Sequence, residues 1–296
     1  MDKVKIGIPR GIHYYYSGIF WKYFFKKCNI DVIYSSKTTH EILEIGKSLA
    51  PDEMCLSMKV YLGHISSLEG KCDYILIPRI DRFDNYNQTC TNFLAIYDLA
   101  NHYFKTPLLN YNIDNKNHLL DGLIEIGEVL HLSKMKVIEA YEYACLKERE
   151  WRKSKNEEQK RILNGKDKKV LIVSHAYNIH DDFIGGSISS MLEQNKIKVV
   201  YSDYFLPEET SKMSEKLSKC LYWKYSKESI GAIPLCEKVN GIIFLSTFPC
   251  GLDSLVHELM IRKMEKPYLN LVIDDLSSMT GIETRIESFV DLIEQG

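Results

Sequence analysis

Gly241-Ile-Ile-Phe-Leu-Ser-Thr-Phe-Pro-Cys-Gly-Leu-Asp-Ser254 passes from an apolar run, through a cysteine, into the helix-like Leu255-Val-His-Glu-Leu-Met-Ile261. The opening run is continuous rather than alternating, the mark of a parallel strand covered on both faces. A thiol where a buried strand ends and a helix begins is a packing residue, a nucleophile or a metal ligand. The choice depends on whether other cysteines occupy matching places.

The same pattern recurs along the chain. Strand candidates are Val4–Pro9, Asp31–Ser35, Tyr74–Ile80 and Pro107–Tyr111, then Val170–Ser174, Lys198–Ser202, Gly241–Ser246 and Tyr268–Ile273. Helical patterns fall between them at Ile19–Cys28, Glu41–Leu49, Ser57–Leu68, Phe93–Phe104, Ile184–Gln194 and Leu252–Lys263. Repeated strand–helix–strand order implies doubly wound parallel sheets. The expected fold class is α/β, with two Rossmann-like parallel-sheet domains joined by a helical segment. The N-terminal domain is placed at 1–117, the helical linker at 118–165 and the C-terminal domain at 166–296. Lys147–Lys169 is dense in Lys, Arg and Glu, the composition of a solvated helix with i,i+4 pairs, and Gly165 and Asp167 supply its stop.

The 296 residues, 45% of them apolar, suffice for two domains with sizeable cores. A formal net charge of −2 offers no basic field for nucleic acid. The N-terminal Met-Asp-Lys-Val-Lys-Ile-Gly-Ile-Pro-Arg lacks the apolar centre of a signal peptide. No apolar run approaches the roughly 18 residues of a membrane span. The expected location is cytoplasmic, with neither membrane nor nucleic acid as partner. The eight cysteines are then expected as thiols or metal ligands rather than disulfides.

Three cysteines stand apart. Cys250 follows the third strand of the second half; Cys90 follows the third strand of the first half, after the loop Asp81–Thr89. Cys55 lies in Pro51-Asp-Glu-Met-Cys-Leu-Ser-Met-Lys59, a break between two helical segments. Parallel sheets bind ligands outside the carboxyl ends of their strands, so matched thiols would face each other across an interdomain cleft that Cys55 could also reach. A helix N-terminus stabilises a thiolate at Cys250, and Gly251 permits close backbone approach. Core packing is the competing reading. No CxxC pair supports a zinc ribbon or a ferredoxin-type run. Cys28, Cys72, Cys145, Cys220 and Cys236 read as packing residues.

Several stretches carry a resemblance together: Lys5-Ile-Gly-Ile-Pro-Arg-Gly11, Asp52-Glu-Met-Cys-Leu-Ser-Met-Lys-Val-Tyr-Leu-Gly-His64, Tyr74-Ile-Leu-Ile-Pro-Arg79 and Thr89-Cys90. They continue with His175-Ala-Tyr-Asn178, Leu221-Tyr-Trp-Lys-Tyr225, Cys250-Gly-Leu-Asp-Ser254 and Thr284-Arg-Ile-Glu287. In this order, over nearly the whole chain, they resemble the 2-hydroxyacyl-CoA dehydratase superfamily, in its acyl-CoA dehydratase activase-related branch. The resemblance implies an oxygen-sensitive iron–sulfur cluster held by Cys55, Cys90 and Cys250, either one 4Fe–4S cluster or a double-cubane cluster at a dimer interface. It implies a separate ATP-hydrolysing activase that supplies a low-potential electron, and a homodimer or a heterodimer with a dehydratase-type subunit. The expected function is to accept that electron and take part in reduction or dehydratase-type radical chemistry. The alternative is a non-enzymatic cluster carrier or scaffold. Departures from the family pattern are Ser57 and Thr91 in place of prolines; around the third cysteine, where glycine usually precedes or flanks it, Pro249 precedes and Gly251 follows. No G-x-x-x-x-G-K-[ST] loop is present, so the resemblance assigns ATP hydrolysis to another polypeptide.

Other side chains are candidates for the second shell or the cleft, each with a structural competitor. Glu53 relays a proton or caps a turn. His64 stands behind the cluster or bonds within the core. Arg79 binds an anion or forms an ion pair. His175 and Asn178 follow a strand end, a favoured ligand position. Ser254 touches a ligand or caps its helix, and Asp253 complements the helix dipole. Tyr14-Tyr-Tyr16 with Trp21 reads as packing, and Gly185-Gly186 as a tight turn.

Overall fold

The computed structural model describes residues 3–219, 221–274 and 280–295. The chain divides into two compact units, Met1–Trp151 and Arg152–Gly296. Unit 1 runs β1 (Lys5–Ile8), α1 (His13–Cys28), β2 (Asp31–Tyr34), α2 (His40–Leu49), α3 (Leu56–Ser66) and β3 (Tyr74–Leu76). It continues with β4 (Arg79–Ile80), β5 (Arg82–Asp84), β6 (Asn87–Gln88), α4 (Asn92–Tyr103), β7 (Leu108–Leu109), β8 (Asn112–Ile113) and α5 (Leu119–Val129). Helix α6 (Lys134–Asn164) crosses the boundary between the units. Unit 2 follows with β9 (Lys169–Val173), α7 (Ala176–Ile179), α8 (Gly185–Gln194), β10 (Lys198–Tyr201), α9 (Pro207–Leu217) and α10 (Lys224–Gly231). It ends with β11 (Gly241–Thr247), α11 (Gly251–Ile261), β12 (Tyr268–Ile273) and α12 (Thr280–Gln295).

Each unit is built on a four-stranded parallel sheet, ordered β2-β1-β3-β7 in unit 1 and β10-β9-β11-β12 in unit 2. In unit 1 Ile6 pairs with Val32 and Tyr74; in unit 2 Ile242 pairs with Leu171 and Tyr268. The strands between helical layers bury both faces, which is why β9 and β11 read as unbroken apolar runs. The α/β class with two Rossmann-like sheets is therefore the observed architecture.

Unit 1 packs Ile6, Ile8, Phe20, Trp21, Phe24 and Phe25 into one core, each worth about 1.5–3 kcal/mol when buried. Trp21 Nε1 donates to Tyr111 Oη at 3.1 Å, which satisfies the indole N–H inside that core. Unit 2 packs Leu171, Val173, Val200, Ile242 and Phe244 against Val256 and Met260 of α11. Helices α2 and α3 touch backbone to backbone. A Cβ at Gly46 would lie 1.8 Å from Lys59 O, and one at Gly63 would lie 1.9 Å from Ile42 O. Among the described residues no helix is long and apolar enough to cross a membrane.

Three differences from the sequence reading have physical reasons. The run Tyr74–Ile80 is broken: β3 stops at Leu76, and β4 pairs with β8 in a separate two-stranded sheet. Pro78 lies in the gap and has no N–H to offer the ladder. Helix α1 starts at His13 rather than at Ile19, taking in Tyr14–Tyr16. Burial of Phe20, Trp21, Phe24 and Phe25 outweighs the poor helix propensity of the tyrosines. The loop Asp81–Thr89 contains the antiparallel hairpin β5–β6. Cys220, read from the sequence as a packing residue, lies outside the described residues.

Candidate functional site

The three singled-out cysteines all stand at helix starts. Cys55 is the N-cap of α3, and its carbonyl accepts from the N–H groups of Met58 at 2.9 Å and Lys59 at 3.1 Å. Cys90 sits one residue before Thr91, the N-cap of α4, and its carbonyl accepts from Phe93 N–H at 2.9 Å. Cys250 is the N-cap of α11, and its Sγ accepts from Asp253 N–H at 3.5 Å. Cys90 and Cys250 are topologically matched, since each precedes the helix that leads to the fourth strand of its sheet. All three are partly exposed. Cys72 and Cys145 are partly exposed too, whereas Cys28 and Cys236 are buried, and burial pushes the Cys28 thiol up to about 11 and that of Cys236 up to about 12. Burial also raises Cys72 and Cys145.

Cys90 is placed by its neighbour. Thr89 Oγ1 donates to Ile80 O at 2.5 Å and its N–H to Asp81 O at 2.8 Å, which ties the end of the β5–β6 hairpin to β4. Cys250 is placed by Ser254, whose hydroxyl donates to the Cys250 carbonyl at 2.8 Å; Ser254 thus has the capping role. A side chain at Gly251 would meet nothing within 4 Å, so space in front of that turn is open.

Behind Cys250 lies a buried polar cluster within unit 2. His175, the N-cap of α7, meets Asp253 at 2.9 Å between Nε2 and Oδ1. His257, one helical turn after Asp253, is 2% exposed and packs on Phe244. Burial alone would raise the Asp253 carboxyl. The charge and hydrogen bond of His175, the charge of His257 and the nearby Cys250 thiol outweigh it and leave the carboxyl below its usual value. Burial is also the main influence on His257 and lowers it against the pull of Asp253. Among the described residues, Asp253 Oδ2 and His257 Nδ1 are buried without a hydrogen-bond partner. Asn178, fully buried, donates to Ser174 Oγ at 3.2 Å, and Ser174 in turn donates to Leu245 O, so it ties β9 to β11. A Cβ at Gly185 would fall 2.3 Å from Ile179 O, which explains glycine there as a close backbone approach.

The unit 1 candidates have separate roles. His64 is fully buried, with Ser35 Oγ 2.9 Å from Nδ1 and Thr38 Oγ1 3.0 Å from Nε2. Burial, then the charge of Arg10, brings its pKa down to about 4. The neutral ring fastens α3 to the segment after β2. Arg79 meets Asp98 at 3.0 Å and lies over the Tyr97 ring. Glu53 is exposed in the turn before α3. Thus His175, Asp253, Ser254 and Cys250 form one group, whereas His64, Arg79 and Glu53 each stand in different surroundings. The sequence reading did not single out His257, His13 or Arg10. Only the i,i+4 spacing of Asp253 and His257 would have pointed to the first of these.

Among the described residues no three His, Cys, Asp or Glu side chains already stand as a metal site. Taken one by one, the three thiols stand at or beside helix starts, where backbone N–H groups favour the thiolate, the form of cysteine that ligates iron. A pocket of about 390 Å³ in unit 2 is lined by Lys160, Asn164, Leu235 and Lys238, none of them a candidate. Its lysines are engaged with Glu209 and Asn164.

A family model described as the CoA enzyme activase uncharacterised domain matches residues 5–205. No curated protein matches the chain. A solved structure described as a sugar transporter from Clostridium phytofermentans aligns at 14% identity over 99% of this chain and 94% of that chain. Its TM-score of 0.20 is too low to carry an argument.

Proposed function

We propose that this chain, which belongs to the CoA enzyme activase uncharacterised domain family, is an iron–sulfur protein that works with a separate ATP-hydrolysing activase. Cys55, Cys90 and Cys250 would hold the cluster, as one 4Fe–4S group or as half of a paired arrangement in a dimer. The observation that carries this reading is the shared placement of these three thiols, partly exposed at helix starts, while Cys28 and Cys236 are buried with raised pKa values. When bound, such a cluster supplies low-potential one-electron transfer. The protein's own part is to present thiolates and to hold them in place. Asp253 N–H reaches Cys250 Sγ, Ser254 secures the same turn, and the His175–Asp253 contact anchors α11 to the end of β9. The electron accepted from the activase would serve reduction or dehydratase-type radical chemistry.

Anaerobic reconstitution followed by iron and sulfide counting and EPR of the reduced protein tests this. About four iron per chain are expected for a single cubane. Cys55→Ala, Cys90→Ala and Cys250→Ala should each lose most of that iron, and Cys145→Ala should keep it. Equal iron in all four variants would overturn the ligand assignment.

A further inference from the structure

Asp253 lies in the first turn of α11, just after Cys250, and is 3% exposed. Its N–H reaches Cys250 Sγ at 3.5 Å, and its carboxyl lies beside the same thiol. Oδ1 meets His175 Nε2 at 2.9 Å. Among the described residues, Oδ2 is buried without a hydrogen-bond partner. An acid in a first helical turn can complement the dipole while facing water. Burying it with one oxygen unsatisfied is costly, so the helix start alone does not account for this carboxylate.

The other two singled-out thiols have different surroundings. Helices α3 and α4, which begin beside Cys55 and Cys90, have no acid in their first turns. Glu53 precedes Cys55 but is exposed, where water and salt screen its charge. Cys250 thus differs in having a buried carboxylate within its own turn. That carboxylate is ionised at neutral pH, since despite burial the charge of His175 above all holds it below its usual value. His257 does not cancel the charge, because burial lowers its pKa and leaves the ring neutral.

We propose that Asp253 is a positioning residue that acts through Cys250: its buried negative charge lowers the reduction potential of a cluster ligated by that thiol. The inference rests on the iron–sulfur reading above. A charge that water does not screen opposes the arrival of an electron nearby, and local charge is among the factors that set cluster potentials. The His175 contact holds the carboxylate in place, and the Asp253 N–H directed at Sγ ties the same residue to the thiol.

The test is an EPR-monitored redox titration of the anaerobically reconstituted full chain, at about pH 8, where a histidine of ordinary pKa is uncharged. Asp253→Asn should keep its iron and move the midpoint to a more positive value by about 59 mV or more, which is tenfold in a one-electron equilibrium. Asp253→Glu retains the charge and should move it less. If Asp253→Asn fails to fold, Asp253→Ser removes the same charge with less bulk. An unchanged midpoint in an iron-loaded neutral variant would overturn the inference and leave the cluster reading intact. Loss of iron from a folded neutral variant would also overturn it, because Asp253 would then hold the ligand turn rather than set the potential. A wild type that takes up no iron would overturn both.

Discussion

The two sheets have the same strand order, yet different electrostatics have been built at their carboxyl ends. In unit 1 the cation Arg10 lies by the rings of Tyr14 and Tyr34, and His13 and His64 are neutral rings buried among tyrosines, phenylalanine and hydroxyls. In unit 2 a carboxylate is central: Asp253 lies between His175 and His257. Strand order decides where side chains gather, because every βα turn of a parallel sheet ends on one edge. It leaves the sign of the charge there to a few residues on the following helices. One half presents a cation among aromatic rings there, whereas the other contains a carboxylate.

The sharpest way to break this contrast is Asp253→Ala. It removes the buried partner of His175 and the carboxylate beside His257, and should cost unit 2 about 3 kcal/mol, read from urea unfolding. A smaller loss would mean that the histidines are held by other contacts. Gly63→Ala tests the helix that carries both His64 and Cys55. The new methyl group would meet a backbone carbonyl that cannot rotate away, so a loss of about 1–3 kcal/mol is expected in the same assay.

Acid sensitivity separates the halves further. The unfolded chain binds protons at His13 and His64 below about pH 6.5, while the folded groups resist until about 3 and 4. Their contribution to stability is therefore full above pH 6.5 and is lost as pH falls towards 4. His257 acts in the same sense, since its folded value is also lowered. Asp253 differs: its folded value lies below 3.8, so its contribution is full above that pH and disappears only as acid passes through the folded value. His64→Gln should flatten the stability slope between pH 6.5 and 4, and an unchanged slope would remove His64 from the account. The smallest effect is expected for Gly251→Ala, which meets open space and should shift stability by less than about 0.5 kcal/mol.

Much of this arrangement could be read along the chain. The apolar runs at Val170–Ser174 and Gly241–Ser246 identify covered strands because a strand buried on both faces has no polar side to alternate with. Cys250 before Gly251 announces a helix start, and Ser254 was legible as a cap. Other features were not. Pro78 interrupts an apolar run that otherwise reads as one strand, and α1 begins six residues earlier than its periodicity suggests. His13 and His257 carry no local mark, because a histidine in an apolar helix looks the same whether its ring is satisfied, orphaned or paired.

The sequence by itself determined the α/β class, the two four-stranded sheets and the helix start at Cys250, since apolar periodicity and capping are local properties of the chain. Only the tertiary structure decided which polar groups share a setting. Asp253 meets His175 across 78 positions, and His64 comes under the influence of Arg10 across 54, because sheet pairing brings those turns to one edge. Charge acts through space and burial, and neither quantity is carried by neighbouring residues in the chain.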